Sequence, residues 1–123
     1  MYAMLLKSHA GLAGLALLLT LGWAAFVVVA KASSGRSSRL VYIGAIASTG
    51  LVGLTGIILA FAGGFATSAF PWVGLVAVAG HGVAGARSRR FLAADRKGAA
   101  IAVAALQVVL LLVAYGVMTA KPF

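Results

Sequence analysis

The sequence predicts an all-α membrane protein, a four-helix transmembrane bundle with antiparallel neighbours and short loops, in one domain over residues 1–123. Two observations lead to this prediction. The chain is 63% hydrophobic and only 9% charged, whereas a soluble domain carries about 25% charged residues. Residues 40–86 contain no Asp, Glu, Lys or Arg, and this length suits two crossings of roughly 20 apolar residues each. The lipid bilayer is therefore the first predicted partner.

The first helix is predicted over residues 2–30, because the uncharged run from Ser8 to Ala30 is long enough to span a bilayer. A secretory signal peptide is the alternative, with Lys7 as its basic region and Ala30-Lys31-Ala32 as a cleavage site of small residues. The apolar run is longer than the roughly 7–15 residues of a signal-peptide core. A retained helix is therefore favoured.

Three more helices are predicted, over residues 40–62, 67–86 and 98–120. Gly63 and Gly64 interrupt the long uncharged stretch, and glycine is the residue that a sharp reversal of the chain requires. Pro71 then falls in the first turn of the third helix, where a missing N–H is tolerated. The second and third helices are therefore predicted to form a hairpin with an uncharged tip.

The positions of the charges predict the orientation. Loop 31–39 holds three basic residues and loop 87–97 holds five, so only Lys7 and Lys121 of the ten lie elsewhere. Cytoplasmic loops of membrane proteins carry the excess of Lys and Arg. Both loops are therefore expected in the cytoplasm of a bacterial inner membrane, with both termini in the periplasm. The net charge of +9 has the same origin, and no nucleic-acid partner is expected.

The second helix carries the clearest small-residue pattern. Gly50, Gly53 and Gly56 recur every three residues and predict a shallow groove. Close backbone approach supplies the packing energy between helices in lipid, so the first interpretation is helix packing within this chain. The alternative is a groove for a flat or long apolar partner: a quinone, a haem, a carotenoid or the helix of another subunit.

Two histidines are candidates for chemistry, because ionisable residues at membrane depth are often functional. His9, two residues after Lys7, is predicted near the outer boundary as a ligand of haem b or a contact of a quinone. His81 is predicted towards the cytoplasmic side, roughly 20 Å from the outer end of its helix. Hydrogen bonding to headgroups or neighbouring helices is the alternative for both. One haem between the two imidazoles is not expected.

Gln107 is predicted near the middle of the fourth helix, where it forms an interhelical hydrogen bond or, alternatively, contacts a ligand. The single acidic residue, Asp95, falls in a predicted loop, whereas proton-coupled carriers place carboxylates at membrane depth. The chain has no cysteine, which excludes disulfides and thiolate metal sites. No catalytic residue and no metal site is predicted, and the chain is expected to lack a catalytic activity of its own.

Four short motifs occur along the chain: Leu5–His9, Thr55-Gly56, Phe70–Trp72 and Met118–Pro122. Their order resembles that of small SirB-like bacterial inner-membrane proteins and, more distantly, of membrane proteins of the HemJ and copper-resistance D type. The resemblance implies a four-helix inner-membrane protein. It also implies a role of His9 and Lys121 in handling haem precursors or metals.

Three functions follow as hypotheses. The first is an accessory or anchoring subunit of a larger membrane complex of the electron-transfer type, because the chain has little mass outside its predicted helices. The second is a small redox protein that binds haem or a quinone through His9. The third is a small transporter that works as an oligomer.

Overall fold

The structure is a computed structural model that describes residues 1–29 and 35–121. These residues form four helices and no strand: α1 (Tyr2–Val29), α2 (Arg36–Ala62), α3 (Phe70–Ala93) and α4 (Lys97–Ala120). The predicted all-α class is confirmed. Helices α1, α2 and α4 are long and apolar enough to cross a membrane. Helix α3 is less apolar, because it contains Pro71, His81 and, near its end, three arginines.

Two helix boundaries differ from the predicted ones at the basic ends. Helix α2 begins at Arg36 rather than at residue 40, and α3 continues to Ala93 rather than ending at residue 86. Only residues 94–96 connect α3 to α4, so most of the predicted loop 87–97 is helical. Arginine is a good helix former, and a charge that ends the apolar stretch does not end the helix. The predicted end of the first helix at residue 30 and loop residues 31–34 lie outside the described residues.

In both described connections the second residue after the helix has a left-handed conformation. After α2, Gly64 has φ +75°, and the N–H of Phe65 donates to the carbonyl of Ala60 at 2.7 Å. After α3, Asp95 has φ 58°, and the N–H of Arg96 donates to the carbonyl of Phe91 at 2.8 Å. This pattern satisfies carbonyls that the helix leaves free. The one acidic residue of the chain therefore lies in the α3–α4 turn.

Many of the buried side chains are small or polar, whereas many large apolar side chains are exposed. Seven of the buried residues are polar: Thr20, Ser38, Ser48, Thr49, His81, Ser88 and Gln107. Leu18 and Val76, by contrast, are 69% and 72% exposed. Soluble proteins show the opposite tendency, while helices in lipid meet through small and polar residues. The distribution therefore fits a protein whose surroundings are lipid.

Helix packing is most extensive within two pairs, α1 with α2 and α3 with α4, and less extensive between α1 and α4 and between α2 and α3. Each helix buries one stripe of residues. On α4 the stripe consists of Ala100, Ala104, Gln107, Leu111 and Ala114. This alternation of three- and four-residue steps is typical of helices that pack at a small crossing angle. The looser contact between the two pairs leaves a cleft between them.

Candidate functional site

All four helices line a cleft of about 280 Å³, which is partly open to the surroundings of the protein. It occupies the half of the molecule that contains both described termini and the α2–α3 connection. His9, Trp72, Tyr115, Met118 and Thr119 lie towards its outer end, and Leu17, Val52, Val78 and Leu111 lie at its inner end. Most of its lining is apolar. We refer to this feature as the cleft.

His9 is the one imidazole in the described lining of the cleft. Its Nδ1 lies 2.7 Å from Oγ1 of Thr55 on α2. The Thr55 hydroxyl in turn lies 2.8 Å from the carbonyl oxygen of Leu51. A Cβ added at Gly56 would lie 3.4 Å from Cε1 of His9, so the missing side chain brings the imidazole close to the α2 backbone. Helix α2 therefore positions His9 through the side chain of Thr55 and through the backbone beside Gly56.

Lys7, the second residue predicted to act at this site, is exposed and does not line the cleft. Two residues along an α-helix correspond to a rotation of about 200°. Lys7 and His9 therefore lie on nearly opposite faces of α1. The helical period separates two side chains that are close in sequence.

Of the three glycines predicted to form a groove on α2, two line the cleft and one does not. Gly53 and Gly56 line the cleft, and a Cβ at Gly53 would lie 3.2 Å from Cγ1 of Val78 on α3. Gly50 is exposed, with no neighbouring atom within 4 Å of an added Cβ. Each step of three residues rotates the position by about 60° around the helix, so Gly50 is rotated by about 60° from Gly53 and about 120° from Gly56, away from the face that lines the cleft. The packing interpretation applies to Gly53 and not to Gly50.

His81 lies in a different place, in a layer of buried polar residues formed by Thr20, Thr49, His81 and Gln107. Its side chain and that of Gln107 are both 0% exposed. Nε2 of His81 lies 2.9 Å from Oγ1 of Thr20 and 3.4 Å from Nε2 of Gln107. These contacts link α1, α3 and α4. Interhelical hydrogen bonding is therefore what His81 and Gln107 do in this structure.

This polar layer lies one helical turn beyond the inner end of the cleft, since each of its members is three or four residues from Leu17, Val52, Val78 or Leu111. Within the described residues, Oγ1 of Thr49, Nδ1 of His81 and Oε1 of Gln107 are buried without a hydrogen-bond partner. Thr20 and His9 are 11 residues apart on α1, which corresponds to about 16 Å along the axis. The two imidazoles therefore do not share a site.

A second network at the basic end of the helices was not anticipated from the sequence. The indole N–H of Trp23 donates to Oγ of Ser88 at 2.9 Å. The Trp23 ring lies edge-on to Tyr42 at 5.0 Å between centroids, and the Arg89 guanidinium lies 4.9 Å from the centre of the Tyr42 ring. Ser88 was missed because it was assigned to a loop between arginines. Gly85 and Ser88 lie four and seven residues after His81, a spacing that places all three on one face of the helix. This spacing is the signal in the sequence that could have identified Ser88.

No family model matches this chain, and comparisons with curated proteins and with solved structures also found no match. The resemblance to SirB-like proteins therefore stays a prediction. Within residues 1–29 and 35–121, no group of three metal-ligating side chains occurs. The site must accordingly be interpreted from its own chemistry, which is one imidazole at the edge of an apolar cleft.

Proposed function

We propose that this chain is a four-helix transmembrane bundle with antiparallel neighbours that binds a lipophilic ligand of the quinone class in the cleft. The observation that supports this function is the imidazole of His9, held by Thr55 at the edge of a largely apolar cleft. Ligand sites are typically apolar pockets with a few oriented polar groups. Because the cleft is partly open to its surroundings, a ligand dissolved in the bilayer can enter it.

The same proposal places the cleft in the periplasmic half of a bacterial inner membrane. Seven cationic residues lie at the start of α2, at the end of α3 or at the α3–α4 turn: Arg36, Arg39, Arg87, Arg89, Arg90, Arg96 and Lys97. Lys7 and Lys121 are at the opposite ends of α1 and α4. Because positive charge favours the cytoplasmic side, the cleft with His9 faces the periplasm.

The size of the cleft favours a single ring over a porphyrin. Its volume of about 280 Å³ is just below the range of roughly 300–1,000 Å³ typical of small-molecule sites. His81, the other histidine, lies in the polar layer and not in the cleft. A haem b with two histidine ligands therefore has no second imidazole here, whereas a quinone ring needs one hydrogen-bonding partner.

His9→Phe is expected to weaken binding of a short-chain hydroquinone about tenfold, the effect of losing one hydrogen bond of roughly 1–1.5 kcal/mol. Binding is measured by quenching of the Trp72 fluorescence, since Trp72 lines the cleft. Lys7→Gln is the matched control, because Lys7 lies outside the cleft, and its affinity should equal that of the wild type. Absence of binding to the wild-type protein, or a Soret band in its absorption spectrum, would contradict the quinone assignment.

The accessory-subunit hypothesis is a second candidate, favoured by the open space beside Gly50. This glycine faces outwards on α2, where another subunit's helix can approach the backbone closely. We expect a larger membrane protein to co-purify in mild detergent and Gly50→Leu to release it, while Gly116→Leu, on the open surface of α4, retains it. A protein that purifies alone from native membranes would count against this candidate. The oligomeric transporter stays a prediction without a further observation.

A further inference from the structure

The hydrogen bonds around Thr55 assign the ring proton of His9, and with it the kind of ligand that the cleft accepts. We infer that the ligand presents a hydroxyl donor to His9, as a hydroquinone or another phenol does, and not a carbonyl acceptor. This inference rests on the proposed function and specifies its ligand.

The Thr55 hydroxyl has one proton to donate. Its Oγ1 lies 2.8 Å from the carbonyl oxygen of Leu51 and 3.2 Å from that of Val52. A carbonyl oxygen only accepts, so the proton of Thr55 points to the backbone of its own helix. The contact of 2.7 Å between Thr55 Oγ1 and His9 Nδ1 therefore requires a donor on the imidazole. His9 carries its proton on Nδ1.

A neutral imidazole with a proton on Nδ1 has a lone pair on Nε2. The neutral form is expected because Asp95, the only acidic residue of the chain, lies in the α3–α4 turn at the opposite end of the helices. Nε2 of His9 has no hydrogen-bond partner in the described ranges, and it is not among the buried atoms there that lack a partner. It is therefore an accessible acceptor on a side chain that lines the cleft.

The remaining polar groups of the cleft do little to bind a carbonyl. The indole N–H of Trp72 already donates to the carbonyl of Ala66 at 2.9 Å. The hydroxyl of Thr119 already donates to the carbonyl of Tyr115 at 2.8 Å. The phenol of Tyr115 is a free donor, but its side chain is 62% exposed. A ligand carbonyl at His9 would face the lone pair of Nε2, whereas a ligand hydroxyl would donate to it.

A pair of ligands tests this selectivity: a 4-alkylphenol and the corresponding 4-alkylanisole, in which a methyl group replaces the donor proton. We expect the phenol to bind the wild-type protein at least tenfold more tightly, because a polar group left unpaired in a site is costly. His9→Phe should abolish the preference and bind both ligands equally. Both affinities are measured by Trp72 fluorescence in the same detergent. The partitioning of each ligand into the micelles is measured as well, so that the two affinities can be compared.

The outcomes separate the inference from the function on which it rests. If the wild-type protein binds neither the phenol nor the anisole nor a short-chain quinone, the proposed function fails. If the anisole or the quinone binds as tightly as the phenol, the cleft is a ligand site but the inference is wrong. A preference for the phenol that survives in His9→Phe would also overturn it, because the donor would then have another partner.

The position of the proton can be measured without any ligand. Nitrogen-15 spectra of histidine-labelled protein in liposomes distinguish a protonated from an unprotonated ring nitrogen, and the signals of His9 are those missing in His9→Phe. We expect a protonated Nδ1 and an unprotonated Nε2. Thr55→Val should abolish this preference, whereas Thr119→Val, which also removes a hydroxyl bonded to its own helix, should leave it unchanged. A protonated Nε2 in the wild-type protein would overturn the inference.

Discussion

Trp23→Ala is expected to lower the free energy of unfolding by about 3–5 kcal/mol, the usual cost of truncating a large buried side chain. Trp23 is 2% exposed and is the largest fully enclosed side chain in the described residues. It joins three helices, because it lies on α1, donates to Ser88 on α3 and packs against Tyr42 on α2. Its removal leaves a cavity and takes away the donor to Ser88 Oγ, whose own hydrogen bond to the carbonyl of Gly85 remains. Helicity followed during unfolding in mixed detergent–SDS micelles measures the loss.

Two further variants separate the contributions of Trp23. Trp23→Phe keeps most of the ring and loses the hydrogen bond to Ser88, so about 1 kcal/mol of destabilisation is expected from the hydrogen bond. Leu18→Ala removes a side chain of the same helix that is 69% exposed, and it should cost less than about 1 kcal/mol. If Trp23→Ala is no more destabilising than Leu18→Ala, the packing described for α1 is incorrect.

Gly85→Ala is expected to destabilise the protein by about 1 kcal/mol, the low end of the range for overpacking, because the two atoms in its way are the ends of flexible side chains. A Cβ at this position would lie 2.8 Å from both Nε2 of Gln107 and Cδ1 of Ile46. Either contact forces a neighbour to move, and movement of Gln107 also disturbs its contact with His81. Alanine normally stabilises a helix relative to glycine, so a net loss would report the close approach of α3, α2 and α4.

Gly82→Ala is the matched control, since it lies on the same helix and has no atom within 4 Å of an added Cβ. It should be neutral or stabilising. Combining Gly85→Ala with Gln107→Ala should cost less than the sum of the two single changes, because the shorter side chain removes one of the two close contacts. Additive costs, or equal effects of Gly82→Ala and Gly85→Ala, would contradict the contact between α3 and α4 at this level.

The prediction of the candidate site from the sequence was uneven. His9 could be singled out because an ionisable residue in an apolar helix is conspicuous. Its partner Thr55 could not, since the two are 46 residues apart and nothing local relates them. Lys7 was grouped with His9 by proximity in sequence, but the period of the helix places it on the other side. Gly50 was grouped with Gly53 and Gly56 in the same way.

The end of the third helix illustrates a different limit. Residue 86 was chosen because Arg87 ends the uncharged stretch, and this rule finds where the apolar segment ends. The hydrogen bonds of the helix continue to Ala93, because arginine is a good helix former. Ser88 consequently lies within the packed interior and binds Trp23. A boundary derived from charge alone excludes such residues.

Composition and the spacing of charges were sufficient, without coordinates, for the all-α class, the four helices and the apolar character of the chain. These properties depend on which residues occur in each segment. The partners of His9 and His81, and the separation of the cleft from the polar layer, required the tertiary structure. The physical reason is that these helices are apolar on nearly every side, so hydrophobicity does not show which face meets a neighbour and which meets lipid. Close approach of small residues and a few hydrogen bonds decide that.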